Sequence, residues 1–167
     1  MIVRSRYDNK IVTLALPSAL LEIIRDLRQA GYHATVVGGA VRDALLGEPV
    51  KDFDIEVYGI AYDALAAFLE NRGRVDLVGQ SFGVVKFTAH GGDTWDFSVP
   101  RRDSKTGRHH HDFLATFDAS ITPQEAAARR DFTINAMAYD PLTGEVLDFL
   151  CRRAGPLGRR RNRAPRR

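Results

Sequence analysis

The sequence has little cysteine and no long apolar run, and each absence narrows the class of protein. A single cysteine, Cys151, cannot form an internal disulfide, which favours a cytoplasmic location. No apolar stretch reaches the roughly 20 residues that a membrane-spanning helix needs, so we expect no membrane partner. The first ten residues, MIVRSRYDNK, lack the apolar core of a signal peptide. We therefore expect a cytoplasmic protein.

Acidic residues are missing from the C-terminal stretch. Residues 151–167 hold eight arginines and no acid, whereas residues 1–150 hold 16 of the 24 basic residues and all 21 acidic ones. The net charge of +3 thus divides into −5 for the first 150 residues and +8 for the rest. A tail of this composition is typical of disorder, although arginines can also bind RNA. We expect one folded domain over residues 1–150 and a basic, disordered tail over 151–167.

The most informative stretch is VVGGAVRDALLGEPVKDFDIEV, residues 36–57. It predicts that a buried strand, His33–Val37, is followed by a turn at Gly38 and Gly39 and a short helix, Ala40–Leu46. Glycines let the backbone approach a ligand closely, and the free N–H groups at a helix start attract anions. The stretch therefore predicts a phosphate-binding turn, although a glycine pair by itself is also typical of an ordinary turn.

A row of acidic residues follows that turn. The period of two in a strand places Asp52, Asp54 and Glu56 on one face. Carboxylates spaced this closely raise one another's pKa unless a cation lies between them. Mg²⁺ is typically bound by one or two carboxylates together with substrate phosphates. With Arg42 in the first turn of the preceding helix, we interpret the stretch as a site for metal-assisted phosphoryl or nucleotidyl transfer; the alternative is a solvated polar strand face.

A further carboxylate lies on a later strand. Strands over Phe82–Ala89 and Thr94–Val99, separated by a glycine-rich turn, predict a β-hairpin. Asp96 lies on the polar face of the second strand, where it can face Asp52 and Asp54 if the two strands are neighbours. The alternative is an exposed position in an alternating strand.

Two motifs carry a family resemblance. GGAVRDALLG followed by KDFDIEV, together with ARRDFTINAMAYDP, resembles the head domain of the tRNA nucleotidyltransferase (CCA-adding enzyme)/poly(A) polymerase family, within the polymerase-β-like nucleotidyltransferase superfamily. The resemblance covers residues 36–149. It implies a template-independent enzyme that adds CMP or AMP from CTP or ATP to the 3′ end of an RNA, expected to be tRNA, and releases pyrophosphate. It also implies a catalytic two-metal Mg²⁺ site held by Asp52, Asp54 and Asp96.

The resemblance further implies a set of nucleotide-binding residues. Those expected on the phosphates are Gly38, Gly39, Arg42 and Arg130, and the residue expected on the sugar is Asp131. A structural alternative is that Arg130 and Asp131 form a pair that braces a helix end.

A polar stretch, PRRDSKTGRHHHD at residues 100–112, resembles a mobile loop beside the substrate in that family. Here His109, His110 and His111 stand where the family has other residues. Three consecutive histidines cannot all face one metal from a regular element, so we expect a solvated cluster.

After Phe149 the sequence departs from the family pattern. The family continues into helical neck and body segments that read the base and hold tRNA, whereas this chain continues into its basic tail. Three alternatives therefore stay open: a poly(A) polymerase, a head domain that binds nucleotide but needs a helical partner chain for RNA, and an RNA-binding module that works through the tail. The sequence leaves nucleotide selectivity, acceptor RNA and oligomeric state undetermined, and a truncated or frameshifted copy would have the same appearance.

The pattern of elements predicts an α/β (α+β) fold of the polymerase-β-like type. Helices are expected over Pro17–Ala30 and Ala61–Asn71, and a capping box at Thr122–Glu125 predicts a third. We expect a mixed, mostly antiparallel sheet with helices mainly on one face and the acidic residues on the other.

Overall fold

The computed structural model describes residues 2–7, 10–105, 113–130 and 132–150, with side chains described for 14–101, 118–130 and 132–150. The predicted tail, Asp131 and the three consecutive histidines lie outside the described residues. The helices are α1 Ser18–Gln29, α2 Gly39–Leu46, α3 Tyr62–Glu70 and α4 Pro123–Ala128. The strands are β1 Ile2–Tyr7, β2 Lys10–Ala15, β3 His33–Val37, β4 Asp54–Tyr58, β5 Gly73–Asp76, β6 Val84–Ala89, β7 Thr94–Ser98, β8 Arg101–Lys105, β9 Phe113–Phe117, β10 Ala138–Asp140 and β11 Glu145–Leu147.

The main sheet has seven strands in the order β11-β10-β3-β4-β7-β6-β5. Every neighbouring pair in it is antiparallel except β4 and β7, which run parallel. Strands β1 and β2 form one separate two-stranded ribbon, and β8 and β9 form another. The expected mixed, mostly antiparallel α/β fold is confirmed.

The hydrophobic core lies between the helices and one face of this sheet. Helix α1 contributes an apolar stripe that includes Leu20, Ile24 and Leu27, all at most 1% exposed. From the central strands Ile55 and Phe97, which are fully buried, join the same core. Because strand side chains alternate between faces, the acidic residues of β4 and β7 lie on the opposite face. Helices α1, α2 and α3 therefore leave the acidic face to other segments, and α4 lies on that face, where Ala126 packs near Tyr58.

One local prediction needs correction. Residues 101–105 are strand β8 rather than loop, because their backbone pairs with β9; ladder pairing does not require apolar side chains in a two-stranded ribbon. Strands β1 and β2 pair antiparallel along their whole described length. Thr133–Asn135 forms a 3-10 turn, and β10 begins at Ala138. The capping box at α4 is confirmed, with Thr122 and Glu125 bonded reciprocally.

None of the helices in the described part of the chain combines the length and hydropathy that a bilayer crossing requires.

Candidate active site

The glycine turn lies between β3 and α2. Gly38 adopts φ +73° and ψ −134°, a backbone conformation that side-chain-bearing residues rarely adopt. A Cβ built on Gly38 would lie 3.6 Å from Arg130 Nη1 and 3.7 Å from Asp54 Oδ2. No side chain caps the start of α2, so the first backbone N–H groups of the helix have no partner within it. The turn therefore presents backbone donors beside an arginine and a carboxylate.

Two carboxylates from different strands meet next to this turn. Asp54 begins β4 and stands opposite Asp96 of the parallel strand β7. Asp52 lies in the loop before β4 and not in the strand itself, which corrects the expected position of that residue. Partial burial and then the negative charge of Asp96 raise the pKa of Asp54, with a smaller contribution from Asp52. The site thus concentrates negative charge that a cation would stabilise.

The carboxylate pair has features that fit a divalent cation. Asp96 Oδ1 is buried and makes no hydrogen bond of good geometry; Lys86 Nζ is the cation beside it, at 3.3 Å. Carboxylate oxygens of this kind are ligands that Mg²⁺ prefers. Within the described ranges, no three His, Cys, Asp or Glu side chains are arranged so that they could hold a metal ion together. The donor set is therefore a pair, Asp54 and Asp96, with Asp52 nearby.

Two arginines flank the carboxylates. Arg42, in the first turn of α2, donates from Nε to Asp43 Oδ1 at 2.7 Å and from Nη1 to Asn135 Oδ1 at 3.3 Å. Arg130 follows α4 and donates from Nη2 to Glu56 Oε2 at 3.4 Å. The positive charge of Arg130 lowers the pKa of Asp54, against the larger raising effects. Both arginines predicted to bind phosphate are thus anchored at this site by side-chain acceptors.

Cavities lined by described residues open around these side chains, and three of them border the carboxylates or arginines named above. The largest is about 560 Å³ and lies on the α2 side, and a second of about 470 Å³ lies on the β7 side; the two share Asp52 and Asp54. A third, of about 310 Å³, borders Glu56 and Arg130. Ligand sites are commonly of this size. The carboxylate pair therefore stands where a phosphate-bearing ligand and a second reactant could enter from different sides.

Side chains that the sequence argument did not assign to the site also lie here. Lys86 lies opposite Asp96 in the β6–β7 hairpin. The sequence could have indicated this pair, because pairing residues outward from the glycine-rich turn of the hairpin places the two opposite each other. Glu56 belongs to the acidic row of β4, but its partner Arg130 is 74 residues away. Asn135 supports Arg42 from 93 residues away. No local pattern indicates either of these two long-range contacts.

The chain is similar to known proteins over most of its length. Residues 34–153 match the family described as the Poly A polymerase head domain. The chain is 40% identical over 113 residues to the multifunctional CCA protein of Xanthomonas campestris pv. campestris (strain B100), a match that covers 68% of this chain and 26% of that protein. It is 38% identical over 128 residues to the CCA-adding enzyme of Geobacillus thermodenitrificans (strain NG80-2), covering 77% of this chain and 30% of that one. The chain thus spans between a quarter and a third of the length of these curated relatives.

Solved structures give the same picture of the fold. The Bacillus stearothermophilus CCA-adding enzyme in complex with CTP superposes with a TM-score of 0.61 at 30% identity, covering 80% of this chain and 30% of that one. A tRNA nucleotidyltransferase complexed with a primer tRNA and an incoming ATP analog superposes with a TM-score of 0.56 at 29% identity, covering 77% of this chain and 34% of that one. The family match, over residues 34–153, includes the glycine turn and the strands that carry the carboxylates.

Proposed function

Because the chain belongs to the Poly A polymerase head domain family, we propose that it is the catalytic head of a template-independent RNA nucleotidyltransferase. The proposed reaction adds CMP or AMP from CTP or ATP to the 3′ end of tRNA and releases pyrophosphate. One observation carries the proposal: Asp54 and Asp96 stand side by side on parallel strands, next to the Gly38 turn and Arg130. The relatives named for CCA addition, and the solved complexes with CTP and with primer tRNA, support this choice of substrates. A cytoplasmic location is part of the proposal.

The nucleotide's phosphates would bind at the glycine turn. The backbone N–H groups at Gly38 and Gly39 would supply donors there, because helix starts favour negative charge. The guanidinium groups of Arg42 and Arg130 are suited to bidentate phosphate contact. We further propose that Asp131, which lies outside the described residues, holds the ribose.

The carboxylates would hold the metal. Enzymes of this family generally use a divalent metal, and we propose Mg²⁺ in a two-metal site held by the pair Asp54 and Asp96, which Asp52 would join from the preceding loop on metal binding. The ions would lower the pKa of the attacking 3′-hydroxyl and stabilise the leaving pyrophosphate. The protein's own contribution is to keep two carboxylates adjacent at a fixed register, and Asp96 Oδ1, which lacks a hydrogen bond, supports this assignment.

The test is nucleotide transfer to a tRNA that lacks its terminal CCA. Asp54→Asn and Asp96→Asn should each reduce Mg²⁺-dependent transfer to background, because each removes one charge of the proposed metal pair. Asp93→Asn, which changes an exposed carboxylate in the turn of the same hairpin, should leave transfer unchanged. Retained transfer by Asp54→Asn would contradict the proposal. Products made from CTP alone and from ATP alone distinguish CCA addition from poly(A) synthesis.

A second candidate follows from the share of the relatives that this chain matches, between a quarter and a third of their length. The domain would bind Mg²⁺ and nucleotide by itself and depend on helical segments, in the same protein or in a partner subunit, to hold RNA. Calorimetry with CTP or ATP separates the candidates: nucleotide binding with no tRNA extension favours the second. Absence of nucleotide affinity in the presence of Mg²⁺ would contradict both.

A further inference from the structure

Glu56 is a buried acidic residue to which the proposed reaction assigns no role. It lies two residues after Asp54 on β4 and faces the same side of the sheet, yet it is only 9% exposed. An isolated carboxylate at such a position would be strongly destabilising. Two donors compensate it: the Tyr58 hydroxyl donates to Oε2 at 2.5 Å, and Arg130 Nη2 donates to the same oxygen at 3.4 Å. The placement of Glu56 is therefore tied to that of Arg130.

The two terminal nitrogens of Arg130 have different surroundings. Nη2 faces Glu56, whereas Nη1 is the atom nearest to the space beside Gly38, 3.6 Å from the position of a Cβ built there. Because a guanidinium is planar and rigid, holding one nitrogen orients the other. The contact with Glu56 thus sets the direction in which Nη1 points toward the glycine turn.

Tyr58 links this arrangement to a small apolar cluster that it forms with Ile121 and Ala126. Its side chain is 7% exposed, and its hydroxyl hydrogen bond to Glu56 joins alternate residues of β4. That bond restricts the rotamer of Glu56, because the donor belongs to a rigid central strand. The sheet thus fixes Tyr58, the Tyr58 hydroxyl holds the Glu56 carboxylate, and Glu56 holds the Arg130 guanidinium.

We propose that Glu56, held by Tyr58, is a positioning residue that orients Arg130 so that its Nη1 group faces the phosphate-binding turn. The inference rests on the proposed function for the identity of the ligand, a nucleoside triphosphate. Its consequence is specific: loss of Glu56 weakens nucleotide binding through Arg130, whereas the carboxylate pair of Asp54 and Asp96 stays in place. The effect should appear in the KM for nucleotide more than in kcat.

Calorimetric titration of the protein with CTP and with ATP in the presence of Mg²⁺ tests this. Glu56→Leu should weaken binding about tenfold, the equivalent of one hydrogen bond to a charged group. Glu56→Gln, which keeps an acceptor oxygen at the same place, should recover most of that loss. Combining Glu56→Leu with Arg130→Leu should cost no more than Arg130→Leu alone, because Glu56 acts through Arg130.

A matched control removes a carboxylate–arginine contact elsewhere. Asp26→Leu removes the acceptor of the Arg72 pair at 3.0 Å in the helical layer, so it should lower stability without changing nucleotide affinity. If Glu56→Leu does not fold, Tyr58→Phe removes only the supporting hydroxyl and should weaken binding to a smaller extent. Unchanged or tighter binding by Glu56→Leu, or costs that add with Arg130→Leu, would overturn the inference.

A second readout needs no nucleotide. Modification of Arg130 by phenylglyoxal, located by peptide mass spectrometry, should become several-fold faster in Glu56→Leu, because the guanidinium loses its acceptor. An unchanged rate would overturn the inference whatever the nucleotide data show. The two proposals can fail separately. If the wild-type protein does not bind nucleotide, but Arg130 still reacts faster in Glu56→Leu than in the wild type, the proposed function fails and the positioning of Arg130 by Glu56 is supported.

Discussion

Replacing Gly38 by alanine tests the conformational argument for the phosphate-binding turn. Gly38 has φ +73° and ψ −134°, a combination that costs an alanine about 2 kcal/mol. The added Cβ would lie 3.6 Å from Arg130 Nη1 and 3.7 Å from Asp54 Oδ2, which are ordinary contact distances. Steric clash therefore adds little, and backbone strain decides the result. For a chain of this size, about 2 kcal/mol corresponds to a fall in Tm of roughly 4–8 °C.

The measurement is thermal and urea unfolding of Gly38→Ala beside Gly91→Ala. Gly91 has no positive φ, and a Cβ there would meet nothing within 4 Å, so its replacement should change stability by less than about 0.5 kcal/mol. Gly38→Ala should also weaken nucleotide binding, because its Cβ occupies the space between Arg130 and Asp54. Equal stability of the two variants would refute the claim that the turn requires glycine.

Three further predictions concern stability. Partial burial and neighbouring carboxylates raise the pKa of Asp54, so its ionised form destabilises the fold. Without divalent metal, Asp54→Asn should therefore have a higher Tm than the wild-type protein at pH 7. The difference in Tm should vanish as the pH falls below about 4, where Asp54 is protonated in both the folded and the unfolded state. Burial alone would raise the pKa of Asp140, but hydrogen bonds from His33 and Arg28 contribute to a net lowering of that pKa. The ionised form of Asp140 therefore stabilises the fold at any pH above the pKa of the unfolded state. Asp140→Asn should cost about 2–3 kcal/mol at pH 7, and in urea unfolding that cost should shrink as the pH falls below about 4; a pH-independent cost would contradict the assignment. Thr122→Ala removes the capping box of α4 and should lower the free energy of unfolding by about 1 kcal/mol; no change would mean that the cap is not needed.

Local sequence patterns predicted the elements that carry the site. The alternation in β4 and β7 places Asp54 and Asp96 on polar faces opposite the buried Ile55 and Phe97, as the structure has them. The glycine pair predicted the turn before α2. These features depend on residues close together in the chain, because strand periodicity and glycine conformations are local properties. The same principle failed at residues 101–105, where pairing with the next strand, β9, overrides a polar composition.

The assignment of roles to the predicted site residues stays a prediction for Asp52, Asp54, Asp96, Gly38, Gly39, Arg42, Arg130 and Asp131. The geometry brings seven of them to one face of the sheet, and Asp131 lies outside the described residues. The variants above test that assignment at Asp54, Asp96, Gly38 and Arg130.

The sequence by itself determined which residues point away from the core and where the chain turns, since both follow from period, glycine and capping residues within a few positions. Only the tertiary structure decided that β4 lies parallel to β7, so that Asp54 and Asp96 stand together across 42 residues of chain. It also decided that Glu56 accepts a hydrogen bond from Arg130 and that Asn135 accepts one from Arg42. Strand order and contacts of this length depend on how the whole core packs, and no local segment of the chain specifies them.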